Sequence, residues 1–152
     1  MRNPYIPYPS KILEVIRHTE KEFTFRMEYK GEEEVKPGQF FEVSMPKYGE
    51  APISVSGIGE GFVDLTIRKV GRVTNEVFEN YEGDTLLLRG PYGNGFDTEL
   101  YQDGETVVVA GGTGVSPVRG VIEALSEMEN AKQKYVIAGF RSPADMLFRD
   151  DL

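Results

Sequence analysis

The run from Val107 to Pro117, Val-Val-Val-Ala-Gly-Gly-Thr-Gly-Val-Ser-Pro, joins an apolar segment, a glycine turn and a helix-starting signal in a pattern suited to holding phosphate. The apolar segment predicts a strand buried on both faces of a parallel sheet. Gly111, Gly112 and Gly114 let backbone come close to a ligand that side chains would hold away. Ser116 suits a helix N-cap and Pro117 the first helical position, where a missing N–H costs nothing. The unpaired amides and positive dipole end of that helix would then point at the glycine turn. Arg119 falls in the first turn, where a cation opposes the dipole by about 0.3–1 kcal/mol, and a bound anion would reverse that penalty. The plainer alternative is an ordinary strand–turn–helix connection with a solvated arginine. The segment is neither Gly-x-Gly-x-x-Gly nor a P-loop, since no Lys-Ser or Lys-Thr follows the glycines, which argues against a simple nucleotide hydrolase.

The elements that must position this turn fall into two groups. Before residue 100 the chain alternates with period two, as in Phe23, Phe25, Met27 and Tyr29, which predicts half-buried antiparallel strands. Similar strands are expected at Lys11–Arg17, Gln39–Met45, Ile53–Ser56, Phe62–Val70 and Thr85–Arg89, separated by turn signals such as Lys-Pro-Gly and Glu-Gly-Asp. Six short strands predict a small closed antiparallel barrel, interrupted by one helix near Asn75–Tyr81 with Thr74 as its N-cap. After Tyr101 a strand at Thr106–Ala110, a helix at Pro117–Met128 and a strand at Tyr135–Phe140 read as a right-handed parallel βαβ unit. The expected division is therefore a barrel domain over 1–100 and part of an α/β domain over 101–152. Two parallel strands and one helix are too few to cover both faces of their sheet, so the chain reads as the front of a longer protein.

Composition narrows the function. The net charge of −8, from 17 basic and 25 acidic residues, argues against nucleic acid or an anionic membrane surface as partner. With no cysteine, the chain has no disulfide, no thiol chemistry and no iron–sulfur ligands of its own. There is no apolar signal core and no run of transmembrane length, so a cytoplasmic protein is expected. Glycine is enriched, at 17 of 152 residues against an average of about 7%, which favours tight turns and close ligand approach. His18, the single histidine, follows a strand and reads as a surface residue rather than a metal ligand or triad member. Phe23, Phe25 and Phe41 read as core, and Glu32 to Glu34 as a solvated turn.

Several signals stand in a fixed order: Lys36-Pro-Gly-Gln-Phe40, Ala51-Pro-Ile-Ser54, Gly71-Arg-Val-Thr74, Gly90-Pro-Tyr-Gly-Asn-Gly-Phe96, then Ala110-Gly-Gly-Thr-Gly-Val-Ser-Pro117. Together they resemble the ferredoxin–NADP reductase superfamily, in which an FAD-binding antiparallel barrel precedes a Rossmann-like NAD(P)-binding α/β domain. Asn3-Pro-Tyr, Glu50-Ala-Pro-Ile-Ser-Val-Ser-Gly57 and the Gly90–Phe96 segment look most like the B subunit of anaerobic sulfite reductase. Gamma subunits of sulfhydrogenases and the electron-transfer subunit of dihydroorotate dehydrogenase are similar.

The resemblance implies FAD, NAD(P)H and hydride transfer to flavin N5, with electrons passed one at a time to partner subunits carrying iron–sulfur or sirohaem centres. Sulfite reduction is the expected setting, with hydrogenase or dihydroorotate dehydrogenase service as the alternative. A flavin-binding barrel without nicotinamide activity is the non-enzyme alternative. The resemblance assigns Pro52, Ile53 and Ser54 to the isoalloxazine and ribityl end, with Ser54 near flavin N5. It sets Ile67, Arg68 and Lys69 along the flavin chain, and Gly71, Val73 and Thr74 at the pyrophosphate. Gly111, Gly112, Thr113 and Gly114 would meet the nicotinamide dinucleotide, helped by Pro91 and Gly93. Arg141 and Ser142 would bear on the adenosine end. Two departures stand out. The family's Arg-x-Tyr-Ser is Ala51-Pro-Ile-Ser54 here, which removes a stacking ring and moves the pyrophosphate charge to Arg68, Arg72 and backbone amides. A [2Fe-2S] cluster such as relatives carry would need ligands beyond Leu152.

Overall fold

The computed structural model describes residues 3–129 and 133–152. Six strands, β1 (Tyr8–Arg17), β2 (Glu22–Glu28), β3 (Phe40–Met45), β4 (Gly49–Gly59), β5 (Phe62–Arg68) and β6 (Thr85–Tyr92), close a barrel in the order β1-β2-β5-β4-β3-β6. All neighbours in it are antiparallel. Period-two alternation produces this directly, since one side of each strand must leave water. Phe25 and Met27 of β2, Leu65 of β5, Phe41 of β3 and Leu88 of β6 are fully buried inside the barrel. Each such side chain contributes about 1.5–3 kcal/mol of transfer free energy. The intervening Thr24, Arg26, Asp64 and Thr66 take the opposite side of the pleat. Helix α1 (Arg72–Asn80) lays Val77 and Phe78 on this core, with the Phe78 and Phe23 rings 4.5 Å apart.

The expected strands are all present, and the largest difference in extent is β4, which reaches well beyond Ile53–Ser56 at both ends. Its flanks, Gly49 to Pro52 and Gly57 to Gly59, carry no apolar alternation, so pairing with β3 and β5 defines them. The expected cap of α1 is corrected: Gly71 is the N-cap and Thr74 the third helical residue. From there the Thr74 hydroxyl accepts from the amides of Val70 and Gly71, each at 3.0 Å, and donates to the Gly71 carbonyl.

Beyond the barrel, β7 (Glu105–Gly111) and β8 (Gln133–Gly139) pair in parallel from Glu105↔Gln133 to Gly111↔Gly139, with helix α2 (Val115–Glu127) between them. Gly112, at φ +53°, turns the chain out of β7 into a single 3₁₀ turn, Gly112–Gly114. Because Gly114 already has helical angles, α2 begins before Ser116: Gly114 is its N-cap, Ser116 its second residue and Pro117 its third. The proline is tolerated there because the first helical amides have no partner within the helix.

Val121 and Leu125 of α2 pack on Val108 of β7. The helix also packs on the barrel, where Gly120 permits an approach that a Cβ would block at 2.9 Å from Pro37. Arg119 does not serve the glycine turn, correcting the expectation for it. Its Nη1 donates to the Ser56 carbonyl of β4 at 2.8 Å, its Nε to Asp151 at 2.8 Å, and its Nη2 pairs with Glu123. Its guanidinium also lies 5.0 Å from the Phe148 ring centroid. The sheet face away from α2 leaves Val107, Val109, Tyr135 and Ile137 exposed. Among the described residues, no helix is long and apolar enough to cross a membrane.

Candidate functional site

Two clefts lie where the barrel meets the glycine turn. The first, of about 380 Å³, is lined on the barrel side by Pro52, Ile53 and Ser54 of β4, Thr66 and Arg68 of β5, and Thr74 of α1. Thr113, Gly114, Ser116 and Pro117 close it from the α/β side. The second, of about 440 Å³, is lined by Gly111, Gly112, Thr113, Gly139 and Arg141, together with Glu22 and Arg68. Arg68 and Thr113 belong to both, so the two clefts adjoin.

Two polar groups here have unspent hydrogen-bonding capacity. The Ser116 hydroxyl, on a residue only 3% exposed, has no partner among the described residues. It sits in the first turn of α2, where helix geometry gives amides no partner within the helix and the dipole is positive. Arg68 Nε lies 3.3 Å from Glu22 Oε1, close enough for an ion pair but not aligned for a hydrogen bond, so its N–H remains unused. A buried donor without a partner costs about 1–3 kcal/mol. A ligand rich in acceptors, such as a phosphate ester or a flavin ring edge, answers both groups. This donor set fits FAD in the first cleft and a nicotinamide dinucleotide entering through the second.

Of the other residues named from sequence, several stand elsewhere. Ile67 is 1% exposed in the barrel core, so only its backbone faces outward. Lys69 pairs with Glu79 of α1. Gly71 and Val73 are at the start of α1, the Gly71 amide already bound to Thr74. Arg72 lies over the Tyr48 ring and donates to the Lys47 carbonyl, so Arg68 alone of the two expected arginines lines the first cleft.

Pro91 lines a separate cleft of about 520 Å³ with Tyr8, Tyr29 and Arg89, rather than joining the glycine turn. Gly93 works in a clasp between two of the sequence signals: its carbonyl accepts from Gln39 Nε2 at 2.8 Å, while the Phe96 amide donates to Pro37 O at 2.7 Å. Gly95, at φ +73°, completes that clasp, since a Cβ there would stand 2.8 Å from Lys36. Arg141 reaches the second cleft; the Ser142 hydroxyl is taken by Asp145. Sequence reasoning missed Thr66 as a lining residue. The signal was present, because Asp64, Thr66 and Arg68 alternate with Leu65 and Ile67 and so share one face.

Comparison with known proteins agrees with this fold. Residues 108–152 match the family model of the oxidoreductase NAD-binding domain. The chain is 36% identical to sulfhydrogenase 2 subunit gamma of Pyrococcus furiosus, over 99% of this chain and 54% of that subunit. It is 41% identical to sulfhydrogenase 1 subunit gamma of the same organism, with the same two coverages. Among solved structures, an NADH-dependent reduced ferredoxin–NADP oxidoreductase superposes with a TM-score of 0.80 at 26% identity, over 93% of this chain and 52% of that one. The chain has the fold of the ferredoxin–NADP reductase-like superfamily. A probable electron transfer subunit of dihydroorotate dehydrogenase B from Pyrococcus abyssi is 37% identical over 75% of this chain and 42% of its own length. A ferredoxin–NADP⁺ reductase from Neisseria gonorrhoeae, solved with bound FAD and NADP, shares the superfamily fold at a TM-score of 0.80 and 24% identity, over 96% of this chain and 62% of that one. The chain spans about half the length of the sulfhydrogenase subunits it matches.

Proposed function

We propose that this chain is the flavin-binding part, with a portion of the nicotinamide-binding part, of an NAD(P)H-dependent electron-transfer subunit. In this reading residues 1–100 form the FAD domain and 101–152 belong to the NAD(P) domain. The observation that carries it is the pair of adjoining clefts sharing Arg68 and Thr113, because hydride transfer requires two bound groups brought face to face.

When bound, FAD supplies the hydride-accepting and one-electron chemistry that no side chain here possesses. The protein supplies position and charge. Ser54 offers a hydroxyl toward the reacting edge, while Pro52 and Ile53 pack the ring and exclude water. Ile53 provides contact without a stacking face. Arg68 and the α1 amides near Thr74 meet the pyrophosphate. Gly111 to Gly114 let the nicotinamide dinucleotide approach the backbone, with Arg141 at its outer end.

The electrons then pass to an iron–sulfur partner subunit. The sulfhydrogenase gamma subunits match nearly all of this chain, and the dihydroorotate dehydrogenase subunit matches three quarters of it, which supports a hydrogenase-type or dihydroorotate-type complex over a sirohaem sulfite reductase. With no cysteine in the 152 residues, cluster ligands come from elsewhere in such a complex. The test is reconstitution with an equimolar mixture of FAD and FMN, followed by chromatography of the retained flavin. Retained FAD is the expected result. Retained FMN, or no flavin, would overturn the assignment.

A further inference from the structure

We propose that Thr66, Thr24 and His18 form a proton path along the outer face of the barrel, joining the flavin-side cleft to another cleft that opens to solvent. This rests on the reading that the first cleft takes FAD. Thr66 lines that cleft. Its hydroxyl lies 2.7 Å from Thr24 Oγ1, which in turn lies 2.7 Å from His18 Nε2. Thr24 and His18 line a cleft of about 570 Å³ between the barrel and the C-terminal segment. Thr24 is 2% exposed and Thr66 7%, so the path runs beneath the surface and emerges only at the half-buried imidazole.

The chemistry of the reading leaves a proton to be released. A hydride carries two electrons and one proton. An iron–sulfur partner accepts electrons alone, so for each NAD(P)H oxidised one proton must leave the flavin cleft for water. A hydroxyl can accept one proton while donating its own. With the O–H of Thr66 turned from Ser56 to Thr24 and that of Thr24 turned to His18, a proton enters at Thr66 Oγ1, that hydroxyl's proton passes to Thr24 Oγ1, and the proton of Thr24 passes to neutral His18 at Nε2. His18 then releases a proton to water. Only O–H and N–H bonds are exchanged, and the charge moved is one.

Two features set how the path works. At rest Ser56 donates to the Asp64 carbonyl at 3.2 Å and Thr66 donates to Ser56 at 2.8 Å, so Thr66 accepts from Thr24, and outward transfer begins when Thr66 turns its O–H from Ser56 to Thr24. His18 is also held where it can turn over: it meets the Phe148 ring edge-on at 4.7 Å. Burial, and then Arg119 of α2, lower its pKa, while Asp151 and Glu22 pull it back up. Arg17, Arg149 and Asp150, and the Arg26–Asp64 pair, line the same cleft. An imidazole shifted below its ordinary range is neutral at pH 7, ready to take a proton and shed it.

The test uses the 152-residue chain loaded with FAD, photoreduced without oxygen in weakly buffered solution and mixed with ferricyanide, a one-electron oxidant that takes no proton. Flavin absorbance reports electron loss and an indicator dye reports the proton. Thr24→Val and His18→Ala are each expected to slow proton release at least about tenfold, and free imidazole is expected to restore the rate in His18→Ala. A structural role alone would give no such rescue. In the FAD-free chain, Thr66→Val is expected to move the titration midpoint of the His18 ring nitrogens by NMR, because linked hydroxyls polarise one another. If Thr24→Val does not fold, His18→Ala with imidazole decides. Unchanged proton release with FAD bound overturns the path alone, whereas failure to retain FAD overturns the path and the flavin reading together.

Discussion

Thr74 spends its hydroxyl on the turn it follows, accepting from two amides and donating to one carbonyl. In the proposed reading, phosphate binding at this end of α1 therefore falls to helix amides rather than to the threonine side chain. Thr74→Val is expected to destabilise the FAD-free chain by about 1–3 kcal/mol, because two amides lose their acceptor; urea denaturation measures this. An unchanged denaturation midpoint would show that the valine variant re-satisfies them. Glu50 gives a pH prediction. Its carboxylate receives Arg89 Nε at 2.8 Å and Nη2 at 2.6 Å, with the Ser44 hydroxyl as a further donor. These contacts, Arg89 first, hold its pKa down to about 2. A carboxyl depressed in the fold contributes stability that is complete above its unfolded pKa and lost as pH falls through the folded one. Thermal melts are expected to show this loss from about pH 4.5 down to about 2, and Glu50→Gln is expected to flatten the dependence in that window.

At the scale of elements, α2 is tied to the barrel by Arg119 beside the close approach of Gly120 to Pro37. Arg119 reaches β4, Asp151 and the Phe148 ring at once. Arg119→Met keeps the stem but removes these donors, leaving the Ser56 carbonyl and Asp151 without this partner. Hydrogen exchange is expected to quicken in α2 and the C-terminal segment, while β2 and β5 in the barrel core stay protected; equal change in both would contradict it. This arginine also marks where the sequence stopped being readable. The barrel was legible because Phe23, Phe25 and Met27 repeat with period two, and pattern of that kind is local. What Arg119 grips is set by tertiary contacts more than 30 residues away in sequence, so local reasoning placed it at the helix dipole instead. The start of α2 misled for a related reason: Ser116 and Pro117 carry a capping signature, yet Gly114 was already helical. Pro91 and Gly93 were recognisable as a motif, but the Gln39 and Pro37 contacts that make it a clasp join segments far apart in the chain.

For the molecule as a whole, the barrel has a closed wall and a filled interior, whereas the α/β part is covered on one face only. Helix α2 buries Val108, but Val107 at 55%, Val109 at 69% and Ile137 at 58% exposure lie on the opposite side of the β7–β8 pair. A parallel sheet ordinarily has both faces covered, and contiguous exposed apolar surface together with unpaired strand edges favours association. The 152-residue chain is therefore expected to associate with rising concentration in sedimentation velocity and to enhance the fluorescence of a hydrophobic dye. Val109→Lys combined with Ile137→Lys is expected to suppress both, since the two side chains are register partners on adjacent strands and like charges there repel an incoming apolar face. FAD retention is expected to survive the double substitution, because neither residue lines the flavin-side cleft. Association that persists unchanged in the double variant would place the sticky surface elsewhere, with Leu100 and Tyr5, both highly exposed, next to be replaced.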